Sequence, residues 1–376
     1  MNGTVNKELG ANTSANETKV KKKKRIFYFD QIRAFAIVLV VMIHVCNTFM
    51  NAHAVGSAGW SIPSLTKSFC VIAVPLFLMI SGALLLNRAY DLKDYLSRRF
   101  VRLILPVIFW GIILILVNLY AGSPYMAHKT NIYDMVVWFL NNGYWFSWML
   151  ISIYLFIPIV NSFIKEYSFK GLEYFLAIWF IYLILFSFKL YPLWQIDLSY
   201  FAGYIGFIVL GYYLNNKEFK FSDRTMFIIG ILIYLIFSAV NCYLRVNCLY
   251  TGVLIERVGL IAVLQASGIF LFMKYFAIYS EKNMESISNK IYSLFKDTVL
   301  GKITLSISLC SYGIYLAHYL FLHIGSAWIQ KNIYPIYSID PIKGMPLLLI
   351  TVVILSWVLV LAVSKIPHLK KWTGMG

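Results

Sequence analysis

Arg33 and His44 stand eleven residues apart in the otherwise apolar stretch DQIRAFAIVLVVMIH. One is a permanently charged fork suited to phosphate oxygens, the other a group that takes and gives protons near neutral pH. Eleven helical steps of 100° amount to three turns plus about 20°, so the pair shares one helix face with roughly 16 Å between them. Two readings stand for each. Arg33 either binds an anion or snorkels to headgroups, and His44 either does chemistry or is a hydrogen-bonded packing residue; the cost of an ionisable group at mid-membrane depth favours chemistry for His44. Asp30, three residues before Arg33, either caps the helix or holds the guanidinium. Asn47, one turn beyond His44, either orients the imidazole or is a structural amide.

A second cationic cluster, RRFVR, contains Arg98, Arg99 and Arg102. Arg99 and Arg102 are three apart and share a face, a forked arrangement for phosphate, although anchoring at an inner membrane surface would account for them equally. With Arg33 they set three guanidinium groups at the mouth of a path leading to His44, and an anionic, phosphate-bearing ligand is the economical explanation. His318 is expected at the depth of His44, as its rival for a catalytic role or as a packing residue. His323, five residues on and about 140° around a regular helix, is not expected to share its face. Tyr144, Trp145 and Trp148 fit an outer aromatic belt or, alternatively, stack on sugar faces; Tyr154 follows in the same stretch and is grouped with the acceptor side. No nucleophile elbow, phosphate-binding loop or pair of intramembrane carboxylates is present, and the five cysteines show no metal spacing, so no metal is expected. Cys242 and Cys248 are the only pair placed to bond near an outer loop.

These residues must be positioned by helices in a bilayer. The 376 residues are 60% apolar and 13% charged, with mean hydropathy +0.73, far more apolar than a soluble domain. The pattern predicts an all-α polytopic membrane protein with about ten transmembrane helices, near 32–50, 68–86, 101–120, 146–164, 173–191, 199–214, 225–244, 257–278, 303–329 and 345–364. The net charge of +17 suits nucleic acid only if it forms a polar basic face, and it does not. Of the 33 lysines and arginines, 24 fall in the N-terminal tail, the inner loops and the C-terminal tail, against seven at outer positions, which predicts that both termini are cytoplasmic. Residues 1–25 read as a disordered basic tail, 26–365 as the membrane domain and 366–376 as a short cytoplasmic tail. Within 281–298, Met284, Ile287, Ile291 and Leu294 recur at helical spacing, as in an amphipathic helix lying on the inner surface. Pro158 is expected to kink the fourth span.

The stretch FDQIRAFAIVLVVMIH resembles the opening helix of the acyltransferase 3 family, whose signature is an arginine, ten residues and a histidine, here Arg33 and His44. The family's Arg-x-x-Arg on the third helix corresponds to Arg99 and Arg102. VPLFLMISGALLL, WFSWMLISIYLFIPIV, GYIGFIVLGYYL and SYGIYLAHYLF resemble further landmarks in the same order, over residues 26 to 365. The resemblance implies a multi-pass enzyme that moves an acyl group, usually acetyl from acetyl-coenzyme A, to a hydroxyl of a surface polysaccharide, a lipid-linked saccharide or a smaller molecule. By that carry-over His44 is catalytic, Arg33, Arg99 and Arg102 serve coenzyme A, with Arg98 beside them, and the branch is the stand-alone one without a hydrolase-like domain. The expected setting is a bacterial plasma membrane, with membrane lipids as neighbours and no nucleic acid. A transporter or exporter of a glycan or acylated metabolite is the competing reading, since polar groups inside apolar helices serve transport as well.

Overall fold

A chain this apolar satisfies its backbone in lipid only by folding each segment as a helix. The computed structural model describes residues 25–121, 131–142, 144–190, 203–247, 254 and 256–376, and these are all-helical, with no strand among them. In order, the helices are α1 (Phe27–Ala52), α2 (Ala58–Cys70), α3 (Ala73–Leu85), α4 (Leu92–Ala121), α5 (Ile132–Asn142), α6 (Trp145–Ser187), α7 (Ile205–Asn216), α8 (Asp223–Val246), α9 (Leu260–Lys282), α10 (Ile287–Lys296), α11 (Val299–Tyr319), α12 (Ser326–Asn332) and α13 (Pro341–Ser364). A π-helical turn, Leu320–Gly325, joins α11 to α12.

Eight of these runs among the described residues are long and apolar enough to cross a membrane, α2 with α3 and α11 with α12 each counting as one. The 43 residues of α6 would extend about 64 Å, twice the hydrocarbon thickness, and the run breaks at Ser168, whose φ of 52° and ψ of −144° are not helical. The segments expected at 146–164 and 173–191 fall on either side of this break, the second helical as far as Ser187. The segment expected at 199–214 is described only from residue 203, as α7. The expected tail, up to residue 24, and Cys248 lie outside the described residues.

The first helix is central, touching α2, α3, α9, α11 and α13, with Ile32, Ile37, Val41 and Val45 fully buried. Contacts between apolar helices in lipid depend on close packing of small residues. At the α3 and α7 crossing a Cβ on Gly82 would sit 1.8 Å from the Ile208 carbonyl oxygen, and one on Gly211 would sit 2.1 Å from that of Met79. Gly82→Ala must push the helices apart, so it is expected to destabilise the fold by about 2 kcal/mol, as overpacking does, and to lower the unfolding temperature of the purified protein. An unchanged unfolding temperature would show that this crossing is not tight.

Helix ends are closed by side chains: Ser222, Ser286, Thr298 and Asp340 accept from backbone amides at the starts of α8, α10, α11 and α13. Buried Lys274 of α9 donates to the Leu214 and Asn215 carbonyls at the end of α7, which gives that ammonium a structural role. The amphipathic helix expected within 281–298 forms as α10, with Tyr292 buried and Ile287, Ile291 and Leu294 exposed. The last residues do not trail away from the fold. Trp110 Nε1 donates to the Thr373 carbonyl at 3.1 Å, and the Gly376 amide donates to that of Leu309 at 2.9 Å.

Candidate active site

The face of α1 that carries Arg33, His44 and Asn47 borders a cavity of about 950 Å³. Periodicity alone brings these three residues to one wall. The opposite walls come from α3, α4, α6 and α11, so residues far apart in sequence meet across it. Arg88, Arg99 and Arg102 line one end with Arg25, Arg33, Lys370 and Lys371. Lys67, Trp145, Glu256 and Arg257 line the other, and His44 lies between.

At the arginine end the one lining carboxylate side chain is Asp30, buried and already committed. Arg25 Nε and Nη2 donate to its two oxygens at 2.6 Å each, and Ser308 Oγ donates to Oδ1 at 2.7 Å. That hydrogen bond holds the Arg25 guanidinium more firmly protonated than usual. Asp30 thus serves Arg25, five residues before it, where the sequence pointed to a cap or to Arg33. Arg33, Arg99 and Arg102 make no hydrogen bond or ion pair among the described residues. Three uncommitted guanidinium groups with their nearest carboxylate neutralised form a cationic pocket able to take several anionic oxygens.

Arg98 falls outside the cavity. It is exposed and pairs with Asp94 one turn back, Nε to Oδ1 at 2.6 Å, which draws its guanidinium toward the start of the helix although Arg102 lies one turn ahead on the same side. Lys370 and Lys371, expected only in a trailing tail, border the arginine end instead, since the tail folds back onto α4 and α11. Nothing in the sequence signalled that return.

Around His44 the structure gathers more imidazole than the helical wheel allowed. The His318 ring is 5.0 Å from that of His44, and His323 is 6.1 Å away, edge-on. The π-helical turn at Leu320–Gly325 is the cause: its wider turn brings the side chain five residues on from His318 back toward the same side. His318 is fully buried, and its Nδ1 lies 2.6 Å from the Tyr315 carbonyl. A carbonyl only accepts, so Nδ1 carries the proton and the Nε2 lone pair is left without a partner among the described residues. Of the three histidines, His44 is the one on the cavity wall.

The aromatic residues separate. Trp145 lines the cavity end opposite the arginines, whereas Tyr144, at φ 50°, is buried and donates its hydroxyl to the Leu316 carbonyl at 2.8 Å. Tyr154 is also on the wall but at the arginine end, where Tyr95 of α4, one turn before Arg99, donates to its carbonyl. Nine residues of α6 carry it about 13 Å from Trp145. Lys67 and Arg257 attracted no notice in the sequence because they lie on separate segments. No group of three or more metal-ligating side chains occurs among the described residues.

A family profile described as an acyltransferase domain matches residues 26–361. No curated protein and no solved structure matches the chain.

Proposed function

From its membership of the acyltransferase family, which the match over residues 26–361 establishes, we propose that this chain transfers an acyl group, most simply acetyl, from cytoplasmic acyl-coenzyme A to a hydroxyl of a surface polysaccharide or lipid-linked glycan. The observation that carries the reading is one continuous cavity with uncommitted guanidinium groups at one end, aromatic and cationic side chains at the other, and His44 on the wall between. The coenzyme phosphates meet Arg33, Arg99 and Arg102, and the pantetheine arm, long and thin, carries the thioester along the α1 face to His44.

At His44 a ring nitrogen takes the proton of the acceptor hydroxyl as its oxygen attacks the thioester carbonyl. The carbon–sulfur bond breaks and the coenzyme leaves as its thiol once the sulfur regains a proton. The same nitrogen can instead attack the carbonyl and hold the acyl group before passing it on, a route that a labelled protein intermediate would reveal. The His318 ring packs 5.0 Å from that of His44 and limits how it can turn. With the coenzyme on the inner side and the glycan on the outer, the acyl group crosses the membrane while the coenzyme does not.

Membranes containing the protein, supplied with acetyl-labelled acetyl-coenzyme A and cell-surface glycan, are expected to yield esterified glycan detectable by mass analysis. Flux of glycan or metabolite without any acyl chemistry would overturn this reading and favour transport.

A further inference from the structure

At the cavity end remote from Arg33, Lys67 from α2 and Arg257 from the turn before α9 converge. The Arg257 guanidinium lies 4.1 Å over the Trp145 ring, and its Nε donates to the Tyr204 hydroxyl at 2.9 Å. Held through its face and its Nε, the group has both terminal nitrogens free of hydrogen bonds among the described residues. The Lys67 ammonium makes none there either. Glu256 is the lining carboxylate at this end, but Arg245 Nη2 reaches it at 3.3 Å, and Arg245 is itself fixed by Asn241 Oδ1 at 2.9 Å. That pair is closed. Asn241 continues into buried Gln265, which donates to Ser238 Oγ and to the Ser68 carbonyl, so a polar network locks α2, α8 and α9 behind the site.

The convergence has no explanation in membrane topology, which gathers cations at the opposite end of the spans. Nor is it a closed ion-pair network, since Glu256 is bonded to Arg245 and neither Lys67 nor Arg257 makes an ion pair among the described residues. Lys67 and Arg257 line the same cavity as His44, so a group held by them shares its space with the reacting position. A guanidinium already fixed in place loses little freedom on binding and offers a flat donor edge to a carboxylate or phosphate.

We propose that this end binds an anionic saccharide, with Lys67 and Arg257 holding a carboxylate or phosphate of the acceptor while a neighbouring hydroxyl faces His44. Trp145, on the cavity wall, borders the sugar. The acceptor role rests on the acyltransferase reading; the anion preference does not.

The full chain in lipid nanodiscs, with coenzyme A saturating the arginine end, is titrated calorimetrically with trigalacturonate, glucose 1-phosphate and neutral maltotriose. At least one anionic probe should bind more than about tenfold more tightly than maltotriose, a difference of about 1.4 kcal/mol. That preference should fall about tenfold in Arg257→Gln and in Lys67→Gln, survive in part in Arg257→Lys, and shrink as salt rises. The tighter of the two anionic probes distinguishes a carboxylate-bearing from a phosphate-bearing acceptor. Equal affinity for the neutral probe, a preference intact in both glutamine variants, or no saccharide binding would each overturn the site. Anion preference in a protein that transfers no acyl group would sink the acyltransferase reading and leave this site standing; transfer to neutral and anionic sugars alike would do the reverse.

Discussion

His44→Ala is expected to lower acyl transfer by about 10³-fold or more in protein of matched abundance and unchanged folding, the effect of deleting a positioned proton-transfer group. In barrier terms this is about 4 kcal/mol. The size follows from where the side chain sits. Of the three clustered imidazoles, His44 alone is on the cavity wall, while His318 is fully buried with Nδ1 committed to the Tyr315 carbonyl. No second base can therefore step into the reacting position without rebuilding the site. Donor binding should be little changed, because Arg33 lies roughly 16 Å along α1 from the deleted ring. The check is initial rate of labelled transfer alongside coenzyme A affinity on the same preparations. A rate within a few-fold of wild type would remove His44 from the mechanism.

How far the site could be read beforehand differs from residue to residue. The wall formed by Arg33, His44 and Asn47 was legible because one unbroken helix fixes it, and α1 contains no glycine or proline to disturb the angle. Arg99 and Arg102 were legible for the same reason, three apart on one helix. The membrane fold followed from composition and from apolar runs of spanning length. His323 was misplaced because a regular helical step was assumed where the chain makes a π-helical turn, and five residues mean different angles in the two. The hydrogen bonds from Arg25 to Asp30 were missed, beside the cap and Arg33 readings, because Arg25 precedes the helix, where no periodic rule applies. Lys67, Glu256 and Arg257 were invisible since their meeting depends on α2, α6 and α9 packing around one space. The return of the last residues onto Trp110 is likewise a tertiary event, settled by hydrogen bonds that no local pattern encodes.

Replacing Arg99 and Arg102 together by glutamine should raise the KM for acyl-coenzyme A by about 100-fold, if each charge-assisted contact to phosphate is worth roughly 1.4 kcal/mol or a little more. The turnover number should change far less. These groups would hold the nucleotide end of the donor equally in ground and transition states, and lost uniform binding appears in KM alone. The structure gives the two side chains no other task. Neither pairs with a carboxylate among the described residues, and Asp30, the acidic side chain at that end, is occupied by Arg25 and Ser308. Their removal therefore leaves no buried charge unpaired, and the fold should survive it. Arg98→Gln is the control on the same helix: its side chain is turned to Asp94, so the KM should stay near that of the wild type even though a positive charge is lost there too. Lysine at 99 and 102 should recover part of the affinity, since a point charge replaces the flat fork. Rising salt should weaken donor binding in the wild type more steeply than in the double variant. Equal KM values for Arg98→Gln and the double variant would mean that the helix contributes only its general positive field, and that the phosphates bind elsewhere.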